Sequence, residues 1–399
     1  MTNSHVPTSA RLYPADAWGV EYLLTDAERS VLLRLRHFLD AEAAPVIDDY
    51  WERGETPVHL RERLAGLDLV EPAELMLAGN SPSALFTGFR NYELSRTDSS
   101  LAILFGGQAG MFRTVVREGG SPQQVEQWDP LIKDFSMTGC FALTEPRHGS
   151  DVAKGLETTC RRVGDRWIIT GAKRWIGNAA QSDYMAVVAK DTADGGVRAF
   201  LVATDLPGVQ LQKIRGKMSV RMVENSDIVL DDVLVEDIHR LKQINSFADI
   251  NRVFRTLRPD AVWNAAGLQA GVYEAALSYA REREQFGQPI AGFQLIQDKL
   301  VRILGNASAS LSVAARLTSL QEQGSCRDEQ AALAKKWVCD RMRETAALGR
   351  EIAGGNGIVL STGLARHFAD AESLYTFEGT SEVNSLIVGR AVTGISAFA

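Results

Sequence analysis

The period of the apolar residues changes twice along the chain, and this limits the possible folds more than any other feature. From Thr25 to about Trp51 apolar side chains recur at helical spacing, as in Val31, Leu32, Leu35, Phe38 and Leu39. Thr25 with Glu28 three residues on is a capping-box pair that would start this helix. Further helices are expected at about 57–66, 82–95, 98–118 and 121–133. Near Met137 the pattern changes to short β runs: 137–143, 166–170, 184–189, 197–203, 209–212 and 227–230. Gly164-Asp165, Asp194-Gly195-Gly196, Pro207-Gly208 and Asn225-Ser226-Asp227 supply turns between them. Short strands at this spacing predict an antiparallel sandwich or barrel.

Near Asn251 the helical period returns, with helices expected at about 258–284, 292–323, 328–353 and 361–372. Long amphipathic helices joined by short connections predict a bundle. The chain of 399 residues exceeds one ordinary core. It is therefore expected to be mainly α with a middle β domain. The divisions are an N-terminal helical domain over 1–136, a β domain over 137–250 and a four-helix bundle over 251–399. Residues 1 to about 24 read as a loose arm. Two details stand out within the helices. The cluster Gly106-Gly107-Gln108-Ala109-Gly110 weakens a helix interior, making room for a ligand or a close helix, or simply packing tightly. Gln269 interrupts an otherwise apolar face.

Charge and composition exclude several classes. The net charge is −7 without a long basic run, which argues against nucleic-acid binding through a broad positive surface. Cys140, Cys160, Cys326 and Cys339 form no CxxC pair and no zinc spacing with histidine, so they read as free thiols in a reducing compartment and no metal site is expected. Met1 to Pro14 lacks an apolar signal region, and no run of apolar residues is long enough to span a membrane. The C-terminal residues carry no recognisable address. A soluble, cytoplasmic protein is expected.

Four segments carry chemistry. In Ser373-Leu374-Tyr375-Thr376-Phe377-Glu378-Gly379-Thr380-Ser381-Glu382, a carboxylate follows an aromatic run. Desolvation by that run would make Glu378 a stronger base. Gly379 permits close backbone approach, and Thr380 or Ser381 can cap a following helix whose start attracts an anion. A solvated loop glutamate is the plainer reading of Glu378 taken alone. The second segment is Cys140-Phe141-Ala142-Leu143-Thr144-Glu145-Pro146-Arg147-His148-Gly149-Ser150-Asp151, a strand entering a turn rich in hydroxyls. It offers N–H groups and hydroxyls to a phosphate or a ring edge, or is an ordinary turn. The third is Lys173-Arg174-Trp175-Ile176-Gly177-Asn178, where the indole lies against a flat ring or is buried in a strand. The fourth is Arg283-Glu284-Gln285-Phe286-Gly287-Gln288-Pro289-Ile290 with Phe293-Gln294. There Phe-Gly and Pro end one helix and begin the next.

Together with Ala353-Gly354-Gly355-Asn356-Gly357, these segments resemble the acyl-CoA dehydrogenase superfamily, in the order that family uses, from about residue 25 to Phe398. The chain is most similar to the branch holding glutaryl-CoA dehydrogenases and short-chain acyl-CoA oxidases. The resemblance implies an acyl-CoA dehydrogenase-like fold, a homotetramer, one FAD per subunit, an acyl-CoA substrate and an electron-transfer flavoprotein as acceptor. It makes Glu378 the catalytic base. Phe141, Leu143 and Thr144 would line the isoalloxazine, with backbone N–H groups at its polar edge. Gly149, Gly177, Asn178, Gly354 and Gly355 would belong to the cofactor site. Ser150 would meet the FAD pyrophosphate or the CoA pantetheine, and Trp175 would flank the flavin. Arg283, Phe286 and Gln294 would reach the FAD of a neighbouring subunit. Thr380 and Glu382 would lie near FAD phosphate or ribose. Arg258 and Gly379 would approach the acyl-CoA.

The chain also departs from the family pattern. Phe377 replaces a common Tyr, and Gly177 replaces a hydroxyl residue that would approach flavin N5, which keeps an oxidase in play. The positions that hold a distal carboxylate in glutaryl-CoA dehydrogenases correspond to Ala102 and Ser95, which argues against a dicarboxylyl substrate. Leu257 stands where some relatives place their base, which leaves that role to Glu378. An N-hydroxylase of the same fold is a further alternative, opposed by the retention of Glu378.

Overall fold

A computed structural model describes residues 12–77 and 81–397. Of the expected N-terminal arm, residues 1–11 lie outside the described residues; the rest is not loose, because Tyr13, Ala15 and Leu24 are buried and Val20–Leu23 forms a 3-10 turn. The first helices are α1 Asp26–Phe38, α2 Ala44–Arg53, α3 Val58–Ala65, α4 Ala73–Leu77, α5 Ala84–Thr97, α6 Ser99–Gly106, α7 Arg113–Gly119 and α8 Pro122–Lys133. The Thr25/Glu28 capping box forms at the start of α1, and Ser121 with Gln124 repeats it at α8. The glycine cluster becomes a π-helical turn, Gly107–Phe112, between α6 and α7.

The strands are β1 Gly139–Ala142, β2 Thr159–Val163, β3 Arg166–Gly177, β4 Tyr184–Asp191, β5 Val197–Ala203, β6 Val209–Lys213 and β7 Asn225–Glu236, with a short helix α9 Val152–Gly155 after β1. They form one seven-stranded sheet in the order β1-β4-β2-β3-β7-β6, with β5 on the other edge of β4. The sheet is mixed, because β1 and β2 both pair with β4 in parallel. The antiparallel expectation missed this, since parallel pairing joins segments distant in sequence and leaves no local turn to read. Strand β2 also escaped the reading. Its residues after Cys160 are exposed, so Arg161-Arg162-Val163 shows no apolar face.

The C-terminal helices are α10 Phe247–Glu282, α11 Gln294–Glu322, α12 Asp328–Ile352, α13 Leu364–Thr376 and α14 Ser381–Thr393. Between α10 and α11 lies a small hairpin, β8 Glu284–Gln285 with β9 Gln288–Pro289. Phe286 and Gly287 form its two-residue turn with φ of 51° and 80°. Positive φ at both positions is the geometry that favours glycine, so Phe286 is held in a costly conformation. Gln269 is fully buried in α10. Its amide donates to the Ser310 hydroxyl at 2.9 Å and accepts from the Thr345 hydroxyl at 3.3 Å. The polar interruption is thus a satisfied link between α10, α11 and α12.

The chain divides into two compact units that are discontinuous in sequence. One holds residues 1–49, 72–102 and 259–399; the other holds 50–71 and 103–258. The first is helical. The second carries the seven-stranded sheet, whose core includes Cys140, Ala142, Trp167, Ile169, Met185, Val187, Phe200 and Ile228.

Candidate active site

In the β unit, the turn after β1 is fixed by an ion pair that joins residues distant in sequence. Glu145 and Lys173 are both buried, and their charged groups meet at 2.9 Å. Lys173 also donates to the Leu143 carbonyl at 3.1 Å. The Glu145 carboxylate accepts from the backbone N–H groups of Glu157 and Thr158 at 2.7 and 2.9 Å. Burial pushes its pKa up, but Lys173 and these hydrogen bonds outweigh burial and hold it below the ordinary carboxylate range. Burial lowers the Lys173 ammonium to about 8, against the pull of Glu145. The Thr144 carbonyl accepts from Arg174 N–H at 2.8 Å, so the turn is tied to β3 by backbone as well.

Beyond this brace the expected cofactor residues separate by exposure. Leu143 is buried in the core, which leaves only its backbone available to a ligand. Phe141 and Thr144 are half-buried, with the Phe141 ring edge-on to Phe254 at 6.3 Å. Gly149 and Ser150 are exposed, and a side chain at Gly149 would meet nothing within 4 Å. Glu145 is a structural brace, not a ligand-facing acid.

Strand β3 changes register against β7 between Lys173 and Ile176. A bulge of this kind re-aims side chains. Trp175 falls in it with φ of 65° and is 51% exposed. The buried-strand alternative for this indole is therefore not what the fold adopts. The Arg174 guanidinium lies 5.1 Å from its ring centroid. Gly177 has no such constraint. A Cβ there would meet Val223 at 3.4 Å, an ordinary contact. Asn178 is buried with φ of 67°, and its amide donates to the Leu104 carbonyl at 3.3 Å. A Cβ on Gly107 would sit 2.6 Å from that amide nitrogen, so the π-helical glycine makes room for Asn178. The Asn178 Oδ1 atom is buried and has no hydrogen-bond partner among the described residues.

In the helical unit, Glu378 lies between α13 and α14. Its φ is 55°, and Gly379 follows at 90°. A glutamate in the left-handed region costs of order 1–3 kcal/mol and persists only where neighbours hold it. Three groups hold it here. The Thr380 hydroxyl caps α14 by accepting from Val383 N–H at 3.3 Å. The Asn384 amide donates to the carbonyls of Gly379 and Thr380 at 2.8 and 3.0 Å. The Lys335 ammonium donates to the carbonyls of Tyr375 and Gly379 at 2.8 and 2.9 Å. Glu378 is half-buried, not sealed from water. Glu382, in the first turn of α14, is exposed, and its own backbone N–H and the Thr380 side chain lower its pKa. It therefore uses part of the helix start that the sequence offers as an anion site.

Arg283 and Gln294 are exposed on either side of the β8–β9 hairpin, and Phe286 at its tip is 94% exposed. Gly354, with φ of 57°, and Gly355 open the turn after α12, both exposed with nothing within 4 Å of a Cβ. Arg258 is half-buried in α10. Ala102 is buried, and the Ser95 hydroxyl donates to the Asn264 carbonyl at 2.7 Å. Arg96, next to Ser95, is held by Glu93, Glu274 and Asp40 at 3.2, 3.0 and 2.7 Å. Lys335, like Lys173, was missed because a lysine reads as a surface residue by default. The available signal was its place on the buried stripe Ala331, Lys335, Val338, Met342.

Models of the N-terminal, middle and C-terminal domains of acyl-CoA dehydrogenases match residues 25–133, 140–233 and 247–393. The chain belongs to the acyl-CoA dehydrogenase family, whose members are FAD-dependent oxidoreductases. Among solved structures it is 36% identical to a glutaryl-CoA dehydrogenase from Mycobacterium smegmatis, with a TM-score of 0.88 over 96% of this chain and 98% of that one. It is 31% identical to a glutaryl-CoA dehydrogenase from the same organism in complex with FADH2, with a TM-score of 0.90 over 97% and 100%. The mitochondrial short-chain specific acyl-CoA dehydrogenase of Bos taurus is 27% identical over 88% of this chain and 87% of that protein. Among the described residues, no helix is long and apolar enough to cross a membrane.

Proposed function

We propose that this chain oxidises a short- or medium-chain monocarboxylic acyl-CoA to the trans-2-enoyl-CoA, with Glu378 as the base that removes the α-proton. The observation that carries the reading is the Glu378 loop. A carboxylate in a costly backbone conformation is held by a capped helix, an asparagine amide and a buried ammonium. Backbone strain held by several independent contacts is characteristic of a group whose position matters.

The β unit fits a flat ring with a polar edge. Trp175 is turned outward by a bulge, Gly149 leaves its backbone open, and the buried Asn178 Oδ1 is left for a ligand donor. FAD, when bound, supplies the acceptor for the β-hydride. Phe141, the Leu143–Thr144 backbone, Trp175, Gly177 and Asn178 would hold it, with Ser150 on its pyrophosphate or on the CoA pantetheine. The exposed Arg283, Phe286 and Gln294, and Gly354, Gly355, Thr380 and Glu382, complete the set. We place Arg283, Phe286 and Gln294 against the FAD of a neighbouring subunit in a homotetramer. The Glu378 backbone N–H would polarise the thioester carbonyl as the α-proton leaves, in the manner of an oxyanion hole. Arg258 and Gly379 would lie along the acyl-CoA. We further propose a cytoplasmic enzyme that passes electrons to an electron-transfer flavoprotein.

Ala102 and Ser95 present no cation, and the neighbouring Arg96 is committed to three carboxylates. A distal carboxylate would be costly to bury at such positions. This supports a monocarboxylic acyl group, although the structural relatives named above are glutaryl-CoA dehydrogenases. A second reading, an oxidase that passes electrons to oxygen, is favoured by Gly177. The fold has room for a side chain there, so packing does not account for the missing hydroxyl.

The test is anaerobic titration of the holoprotein with butyryl-, hexanoyl- and octanoyl-CoA while the visible flavin band is followed. Glu378→Gln should slow bleaching by roughly 100- to 10,000-fold, the range for loss of a positioned general base. Bleaching of Glu378→Gln at the wild-type rate would remove Glu378 from this role. Rapid recovery of the band in air, with peroxide release, would establish the oxidase.

A further inference from the structure

Lys335 enters the account so far only as one of three groups that hold the Glu378 loop, yet it is among the most deeply buried charged side chains, at 1% exposure. It projects from the middle of α12. An ammonium withdrawn from water needs strong acceptors. The two it has are backbone carbonyls, of Tyr375 at 2.8 Å and of Gly379 at 2.9 Å. Among the described residues no carboxylate lies within ion-pair distance of it. These carbonyls bracket the segment Thr376-Phe377-Glu378. The Tyr375 carbonyl belongs to the last turn of α13, where carbonyls lack helical partners and a cation is favoured. The Gly379 carbonyl also accepts from Asn384.

We infer that Lys335 is a positioning residue for Glu378, clamping the ends of its loop and setting the field in which its carboxylate ionises. The inference rests on the reading of Glu378 as the base. The clamp holds the Gly379 carbonyl, just past the two consecutive residues of positive φ, Glu378 and Gly379. Burial is the largest influence on the ammonium and lowers its pKa, while Asp340 on its own helix and Glu378 and Glu382 from the loop and α14 favour its charge. The Cys339 thiol beside it is pushed up to about 11 by burial and is neutral near pH 7. Its neighbour Lys336 is committed to Asp340 and Ser381, at 3.0 and 3.3 Å. By reciprocity the ammonium favours the ionised form of Glu378.

The experiment compares wild type, Glu378→Gln and Lys335→Met holoproteins by anaerobic stopped flow. It uses whichever of butyryl-, hexanoyl- or octanoyl-CoA reduces the wild-type flavin fastest, over a range of concentration and pH. Lys335→Met removes the charge and keeps most of the volume. The expected result is normal flavin content, an unchanged half-saturating acyl-CoA concentration and a limiting reduction rate lowered roughly 100-fold, the scale of a displaced reacting group. The acid limb of its rate profile should also move to higher pH. A role confined to folding would not produce that shift. An unchanged rate and pH profile would overturn the inference, as would a loss seen only as weaker acyl-CoA binding. If Lys335→Met does not fold, Lys335→Gln takes its place with the same expectations; failure of both to fold would make the lysine a folding residue and overturn the inference too. The two readings fail separately. A fully active Glu378→Gln refutes the base, whereas an inactive Glu378→Gln beside a fully active Lys335→Met refutes only the clamp.

Discussion

Replacing Lys173 by Met should destabilise the β unit and weaken the pH dependence contributed by one buried carboxylate. The side chain is fully buried, and its ammonium serves Glu145 at 2.9 Å and the Leu143 carbonyl at 3.1 Å. Removing one partner of a buried pair costs about 3–5 kcal/mol. Glu145 keeps two backbone donors, at 2.7 and 2.9 Å, which places the loss toward the lower end of that range. The Leu143 carbonyl loses a donor, worth about 1 kcal/mol or more when buried. A deficit of about 3–4 kcal/mol at neutral pH follows from these terms. In the wild type the folded Glu145 pKa is depressed, so its stabilisation is present above the unfolded value and lost as pH falls through the folded value. In Lys173→Met the cation no longer helps the two backbone donors oppose burial, so the folded pKa rises from its depressed value. The variant already lacks the stabilisation that the wild type loses on acidification, and the deficit narrows as pH falls. Urea unfolding of the apoprotein at neutral and mildly acidic pH, followed by tryptophan fluorescence, measures both effects. Lys173→Met/Glu145→Gln should be less damaged than Lys173→Met alone, since no unpaired charge remains. A deficit under about 1 kcal/mol, or one equal at both pH values, would refute the argument.

Three further outcomes follow from the geometry. Gly177→Ser should leave thermal unfolding within experimental error of wild type, because a Cβ there makes only ordinary contacts. If Gly177 governs oxygen reactivity, its reduced flavin should reoxidise more slowly in air by stopped-flow absorbance. Gly107→Ala should cost about 1–3 kcal/mol by chemical unfolding, since its methyl would stand 2.6 Å from the Asn178 amide nitrogen and displace that residue. Phe286→Ser should not lower the stability of the single chain, because the ring is 94% exposed. On the proposed assembly it should reduce flavin content and the mass found by light scattering.

The local features were legible in the sequence because they arise from neighbours. Helix periodicity, the Thr25/Glu28 capping box and the Thr380 cap depend on residues within one turn, and each formed where its pattern stood. Glu378, Trp175 and Phe286 were singled out from short motifs, but their left-handed backbones were not foreseeable. Nothing in a glutamate, a tryptophan or a phenylalanine asks for positive φ, and only surrounding contacts impose it. The parallel pairing of β1 and β2 with β4 likewise left no trace in a turn.

The order of helical and β regions, the helix starts capped by Thr25 and Thr380 and the family to which the motifs belong were all present in the sequence, whereas α10 begins at Phe247, ahead of its expected start at about 258. Tertiary structure alone decided which charges are buried and what they hold. Lys173 meets a carboxylate 28 residues away, and Lys335 meets a carbonyl 44 residues away. A lysine is withdrawn from water only where the fold delivers acceptors to it. That delivery is a property of the packed chain, and no stretch of neighbouring residues contains it.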